Sequence, residues 1–297
     1  MSLHHHHQNP EERNIKIAFF LNLGFTIIEI VGGLLTNSVA ILTDALHDFG
    51  DSVSLGVAWY FQKVSKKGRT EKFSYGYRRF SLLGAFINAF ILFGGSIFFL
   101  TQAIPRLFNP ENPHAEGMIY IAILGVIVNS AAMFQLKKGK SINAKVIAVH
   151  LMEDVLGWVT VLIGAIVMHF YDLPIIDPIL SIAISLYVLV NVVKNMKDAF
   201  RVILQSTPKE VNLKEVKTYL KSVNNIKHVH NLHVWSMDGE YNILSVNLVV
   251  DEHFSMKDIE LIKGEIKVGL EKLNIHHPTL EFETKMQLSE EDESHKT

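Results

Sequence analysis

A helical membrane domain of six spans followed by a small α+β domain is the architecture this sequence predicts, and three observations predict it. Long apolar runs fill residues 15 to 205 and stop there. Basic residues gather in alternate connections between those runs. After Pro208 the pattern changes to short amphipathic and alternating segments. The chain of 297 residues is long enough for two domains. Its formal net charge of −2 excludes a strongly basic nucleic-acid binder. With no cysteine, the chain has no disulfide framework, thiolate metal site or cysteine nucleophile. Any metal falls to His, Asp and Glu, completed by backbone or water.

A span needs about 20 mostly apolar residues. Six segments meet this: Ile15 to Leu35, Ser38 to Gln62, Phe80 to Ala103, Gly117 to Leu136, Asn143 to Phe170 and Ile175 to Phe200. The second is unusual in its number of acids. The polar, His-rich stretch before them, with the run His4 to His7, lacks the basic-then-apolar layout of a signal peptide and is set aside.

Loop charge orients the spans. The second-to-third connection carries Lys63, Lys66, Lys67, Arg69, Lys72, Arg78 and Arg79. The fourth-to-fifth carries Lys137, Lys138, Lys140 and Lys145, and Lys194, Lys197 and Arg201 close the sixth span. The opposite connections hold only Arg106. Basic loops stay in the cytoplasm, so both termini of this multi-pass protein are expected there.

Charges inside a span are costly and usually functional. The second span contains Asp44, His47, Asp48 and Asp51; the fifth contains His150, Glu153 and Asp154. His47 and Asp51 are four residues apart, as are His150 and Asp154, so each pair shares one helix face. At a rise of about 1.5 Å per residue the two pairs fall in the same slab of the bilayer. In antiparallel helices His47 is expected level with Asp154, and Asp51 with His150. Two imidazoles and two carboxylates suit a tetrahedral Zn²⁺ site and neutralise its charge. Imidazole favours Zn, Co, Ni or Cd over Mg, Ca or Mn. The same groups bind protons in competition with metal, which is the outline of an antiporter. Asp44 shares the face of His47 and Asp51, and with Asp48 is a candidate for the entry path. Glu153 is expected to find a polar partner elsewhere, and Asn88 and Asn129 to hydrogen-bond between helices.

Beyond Pro208, Val211 to Val223 reads as an amphipathic helix and His228 to Met237 as a strand. Asp238-Gly239 marks a hairpin turn into a second strand, Tyr241 to Val250. A helix over Met256 to Leu273 and a strand over Thr279 to Met286 complete an αββαβ order. Strict alternation puts His228 and His230 on one face of the first strand and His233 on the other. The final SEEDESHKT is charged and fits a disordered tail. The expected domains are a polar tail (1–13), a transport domain (14–205), a cytoplasmic α+β domain (206–287) and a charged tail (288–297).

The runs SVAILTDALHDFGDS, AVHLMEDVLGW and VHNLHVWSMDG together resemble the cation diffusion facilitator family, from about residue 13 to 286. The paired His-x-x-x-Asp motifs resemble its zinc-transporting branch. The resemblance implies that His47, Asp51, His150 and Asp154 are the transport site. It also implies a homodimer, proton-coupled export and a metallochaperone-like cytoplasmic domain. His230, Glu281 and Glu283 fall near positions that bind metal in some members, while Asn247 stands where one His is expected. Tyr77 likewise replaces an expected loop His. Arg79 matches a basic residue that interlocks protomers, but Gln205 stands in place of its acidic partner.

The expectation is therefore a proton-coupled Zn²⁺ exporter of a bacterial inner membrane, not an enzyme, with divalent cations, protons and the lipid bilayer as partners. Zn²⁺ is its transported substrate, and a regulatory ligand of the cytoplasmic domain. Two alternatives stand beside it: export of Co²⁺, Cd²⁺ or Ni²⁺, and a membrane metal sensor that transports nothing.

Overall fold

A computed structural model describes residues 10–65, 68–137 and 142–284. Lys66, Lys67, Lys138 and Lys140 of the basic loops lie outside the described residues, as do His4 to His7, Met286 and the charged C-terminal tail. Six long helices come first: α1 (Pro10–Thr36), α2 (Val39–Ser65), α3 (Phe80–Phe108), α4 (Ala115–Lys137), α5 (Ile142–Tyr171) and α6 (Ile176–Ile203). Then follow α7 (Leu213–Ser222), β1 (His228–Ser236), β2 (Asn242–Val249), α8 (Met256–Lys272) and β3 (His277–Glu283). The expected order, six long helices and then αββαβ, is the one observed.

Two compact units divide these elements. The first holds α1, α2 to Val64, α3 from Gly84, α4, α5 and α6 to Asn195. The second holds Ser65–Leu83 and the chain from Met196. Windows in α1, α3, α4, α5 and α6 are long and apolar enough to cross a membrane. The remaining long helix, α2, has the length, at 27 residues, but carries Asp44, Asp48 and Asp51 through its middle. Large apolar side chains such as Phe90, Ile127 and Ile163 face outward from α3, α4 and α5, as lipid-facing helices require.

Inside the helical unit, α4 packs along both α1 and α5. Trp158 of α5 is fully buried against α4, where Gly125 has no side chain; an added Cβ there lies 2.3 Å from the indole. Phe25 of α1 meets the same ring edge-on at 5.4 Å. Around them Ile41, Met118, Ala122, Val161 and Ala165 close the core. Asn129 donates to the Gly125 carbonyl of its own helix at 3.2 Å, not across helices as the sequence reading expected. The Asn88 carbonyl oxygen also lacks a donor.

In the second unit the sheet order is β1-β2-β3, with β1 antiparallel and β3 parallel to β2. The parallel pairing follows from the crossover through α8. Val216 and Leu220 of α7 and Ile262, Ile266 and Leu270 of α8 cover one sheet face, meeting Val229, Val234, Leu244, Val246 and Leu248. Ser255 caps α8: its hydroxyl accepts from the Asp258 amide, and Asp258 accepts from the Ser255 amide. The Ser255 hydroxyl, which also donates to the Asp258 carboxylate, and the Ser255 amide together hold that carboxyl below its ordinary range. Gly239, with φ +97, takes the left-handed turn position, and Asp238 accepts from the amides of Glu240 and Tyr241.

One expectation of strand facing is corrected. A bulge lies between His230 and His233, where Asn231 has φ +50. His228 pairs with Val249, His230 with Asn247 and His233 with Ser245. These partners alternate along β2, so all three histidines share the face opposite the helices. The extra residue cancels the alternation that was to place His233 on the core side.

Candidate metal centre

The acids of α2 need a polar environment, and the structure supplies it from three helices. At the start of α2, Asp177 of α6 accepts from the amides of Val39 (2.9 Å) and Ala40 (3.2 Å) and from the Ser38 hydroxyl (2.5 Å). A carboxylate there satisfies amides that no helical carbonyl reaches and complements the helix dipole. One turn on, the hydroxyls of Thr43 and Ser181 meet at 2.8 Å. This clasp fixes where α2 begins, and so the height of every acid below it. It was not foreseen: Asp177 opens the sixth run, where a lone acid reads as interfacial.

Further along, α2 turns His47 and Asp51 toward α5. Asp51 Oδ2 lies 2.7 Å from His150 Nε2 and 3.7 Å from His47 Nε2. The two imidazoles stand edge to face with centroids 5.9 Å apart. One donor atom from each of the three residues falls within 4.8 Å of the others. Their side chains are 18% (His47), 22% (Asp51) and 40% (His150) exposed, shielded yet reachable. Asp154 is half-buried one turn beyond His150; its carboxylate stands outside this compact trio. Glu153 faces away and accepts from the Tyr187 hydroxyl at 3.3 Å. Asp44 is half-buried; Asp48 is 2% exposed and one of its oxygens has no donor.

Chemically, the trio offers two nitrogens and one carboxylate to a tetrahedral ion of the Zn²⁺ type and leaves a fourth position open. A proton shared on the 2.7 Å line between His150 Nε2 and Asp51 Oδ2 must leave before both atoms can ligate.

Sequence reasoning also overlooked Glu29 of α1, which is fully buried beside Asp48 of α2. Asn22, Thr26 and Glu29 recur at helical spacing on one face, and that period was the available signal. In the second unit, His230 Nε2 lies 3.0 Å from Glu283 Oε2. The Asn247 amide donates to Glu281 at 3.4 Å and also to Glu283. His230 and Glu283 therefore meet, while Glu281 is joined to them only through the Asn247 amide, which stands where an imidazole was expected.

Comparison with known proteins places these geometries in context. Residues 15–204 match the cation efflux transmembrane domain, and residues 208–284 match the cation efflux protein cytoplasmic domain. A cadmium, cobalt and zinc/H(+)-K(+) antiporter of Bacillus subtilis is 32% identical over 95% of this chain and 92% of its own length. The metal cation efflux system protein CzcD of Cupriavidus metallidurans is 34% identical over 94% of this chain and 89% of its own. A zinc transporter, ZitB, of Yersinia pestis is 31% identical over 82% of this chain and 79% of its own.

Proposed function

The chain belongs to the cation diffusion facilitator family, and we propose that it exports a divalent metal cation, Zn²⁺ first among them, in exchange for protons. The observation that carries this reading is Asp51 held between His47 and His150 within a membrane-type helical unit. Metal takes the imidazoles neutral and the carboxylate ionised; protons take the same atoms, so one excludes the other. Asp154, on the His150 face, supplies the fourth ligand when α5 closes on an ion, and Asp44 and Asp48 line the approach. Alternating exposure of this one site to the two sides converts a proton gradient into metal export.

The similar antiporter of Bacillus subtilis is named for cadmium, cobalt and zinc, which share a taste for imidazole and carboxylate, so Co²⁺ and Cd²⁺ compete with Zn²⁺ here. All six long helices span, both termini are cytoplasmic, and the membrane is a bacterial inner membrane. The transport domain covers 14–205. The cytoplasmic domain, 206–287, pairs two copies of the chain, a reading its match to the family's cytoplasmic domain supports. His230, Glu281 and Glu283 give that domain a weaker metal site, because Asn247 brings a neutral amide.

Zn²⁺ uptake into proteoliposomes under an imposed pH gradient tests the reading, wild type beside Asp51→Ala and Asp154→Ala. Gradient-dependent uptake that both substitutions abolish is the expected result. Metal binding by the soluble domain without flux of any divalent ion would instead make the protein a sensor.

A further inference from the structure

The metal centre leaves Glu153 of α5 unused. It follows His150 by three residues, so it sits about one helical turn from the trio, deep within α5 (Ile142–Tyr171). Its charge acts on both His150 and Asp154. Yet Glu153 is exposed, and its hydrogen bond is a long one of 3.3 Å from the hydroxyl of Tyr187 on α6, itself 50% exposed. A carboxyl group, charged or neutral, has more hydrogen-bonding capacity than one hydroxyl fills. Lipid offers nothing to fill the rest, and ionisable groups at such depth face a bundle interior or water.

The packing of α5 on α6 shows where that water enters. Toward the end of α5 the helices are close: a Cβ added at Gly164 lies 2.6 Å from the Leu180 side chain of α6. Two turns earlier on α5 the contact is gone, and a Cβ added at Gly157 meets nothing within 4 Å. Glu153 lies one turn further along this opening. Across from it α6 carries Tyr187, Asn191 and Asn195 at i, i+4 and i+8, a polar stripe on one face of an otherwise apolar helix. The stripe runs toward the basic end of α6, which holds Lys194 and Arg201. In the orientation proposed above, that end and the start of α5 are cytoplasmic.

We propose that the cleft between α5 and α6 is the water-filled inner access to the metal centre, with Glu153 the carboxylate that collects divalent cations at its head. Tyr187, Asn191 and Asn195 line the way in. An exchanger must reach its site from each side in turn. Asp44, one turn before His47, flanks the trio toward the outer side, and Glu153 flanks it toward the inner one. The cleft's role in transport rests on the exchange reading; its being filled with water does not.

The chain has no cysteine, so one introduced cysteine is its only thiol. The full chain in inside-out membrane vesicles is treated with a charged, membrane-impermeant methanethiosulfonate. Glu153→Cys and Asn191→Cys are expected to react, as does Glu71→Cys in the exposed α2–α3 connection. Ile163→Cys, at a 58% exposed apolar position of the same helix as Glu153, is expected to stay silent. If the first two are as silent as Ile163→Cys, the face meets lipid and the cleft is overturned. Cross-linking of two copies through a cysteine at 153 also overturns it, because a second copy then covers the face. Reaction from the outer side alone overturns the inner assignment.

In proteoliposomes Glu153→Gln still accepts from Tyr187 but carries no charge. It is expected to raise KM for Zn²⁺ about tenfold with kcat retained, the low end of what a charged cleft adds to capture. A structural tie between α5 and α6 predicts no such change. Should Glu153→Gln fail to fold, added salt screens the same charge, and the wild-type KM should rise with ionic strength. A KM that ignores charge removal, or salt where only that can be tested, overturns the collecting role. Thiols that react in a protein moving no divalent ion leave the water-filled cleft standing and sink the exchange.

Discussion

Asp51 stands against both imidazoles, so in the proposed site it is expected to carry more of the metal affinity than any other acid of α2. Asp51→Asn keeps a hydrogen-bonding partner for His150 but withdraws the negative charge. Zn²⁺ affinity by titration calorimetry is expected to fall by about 100-fold or more, beyond what losing an outer partner of a ligand costs. Asp44→Asn should change it far less. Binding should also weaken on acidification, because protons compete for the ligating nitrogens; pH-independent affinity would argue against His47 and His150 as ligands. The Asp51–His150 contact was legible in the sequence, because two spacings of four on antiparallel helices fix which ends meet. Glu29 and Asp177 were not. Each is a single acid in its run, and only the neighbouring helix shows whether it is solvated, clasping a helix end or buried beside another acid.

At the scale of elements, close packing and helix ends set the expected outcomes. Gly125→Ala drives a methyl group into the Trp158 ring and should cost about 1–3 kcal/mol, read as a lower melting temperature in detergent. Ser255→Ala removes the hydroxyl that caps α8 and should cost about 1 kcal/mol. The other half of that box, Asp258, has its carboxyl held below the ordinary value. Its contribution is therefore present above the unfolded-state pKa and is lost as pH falls through the folded one, so the helix end weakens only on acidification. Element type and order were readable from apolar period and turn residues. The bulge at Asn231 was not, since one residue with positive φ leaves the apolar pattern on either side intact; only the pairing with β2 reveals the shift. β3 likewise begins at His277, two residues ahead of the alternating run, because its partner Ile243 extends the ladder that far.

For the whole molecule, native mass spectrometry in detergent should find two copies of the chain together, and a lone copy under all conditions would argue against pairing through the cytoplasmic domain. The clasp at the head of α2 bears on how the molecule is made. Asp177 lies 139 residues after Ser38, so a ribosome has delivered α2 to the membrane long before its acceptor exists. The long helix richest in acids waits for the carboxylate that takes its first amides until α6 emerges. Nascent chains halted ahead of Asp177 should leave α2 more open to water-borne thiol reagents at an introduced cysteine than chains halted after α6. Insertion of this protein thus finishes from its far end, with the last long helix securing the second.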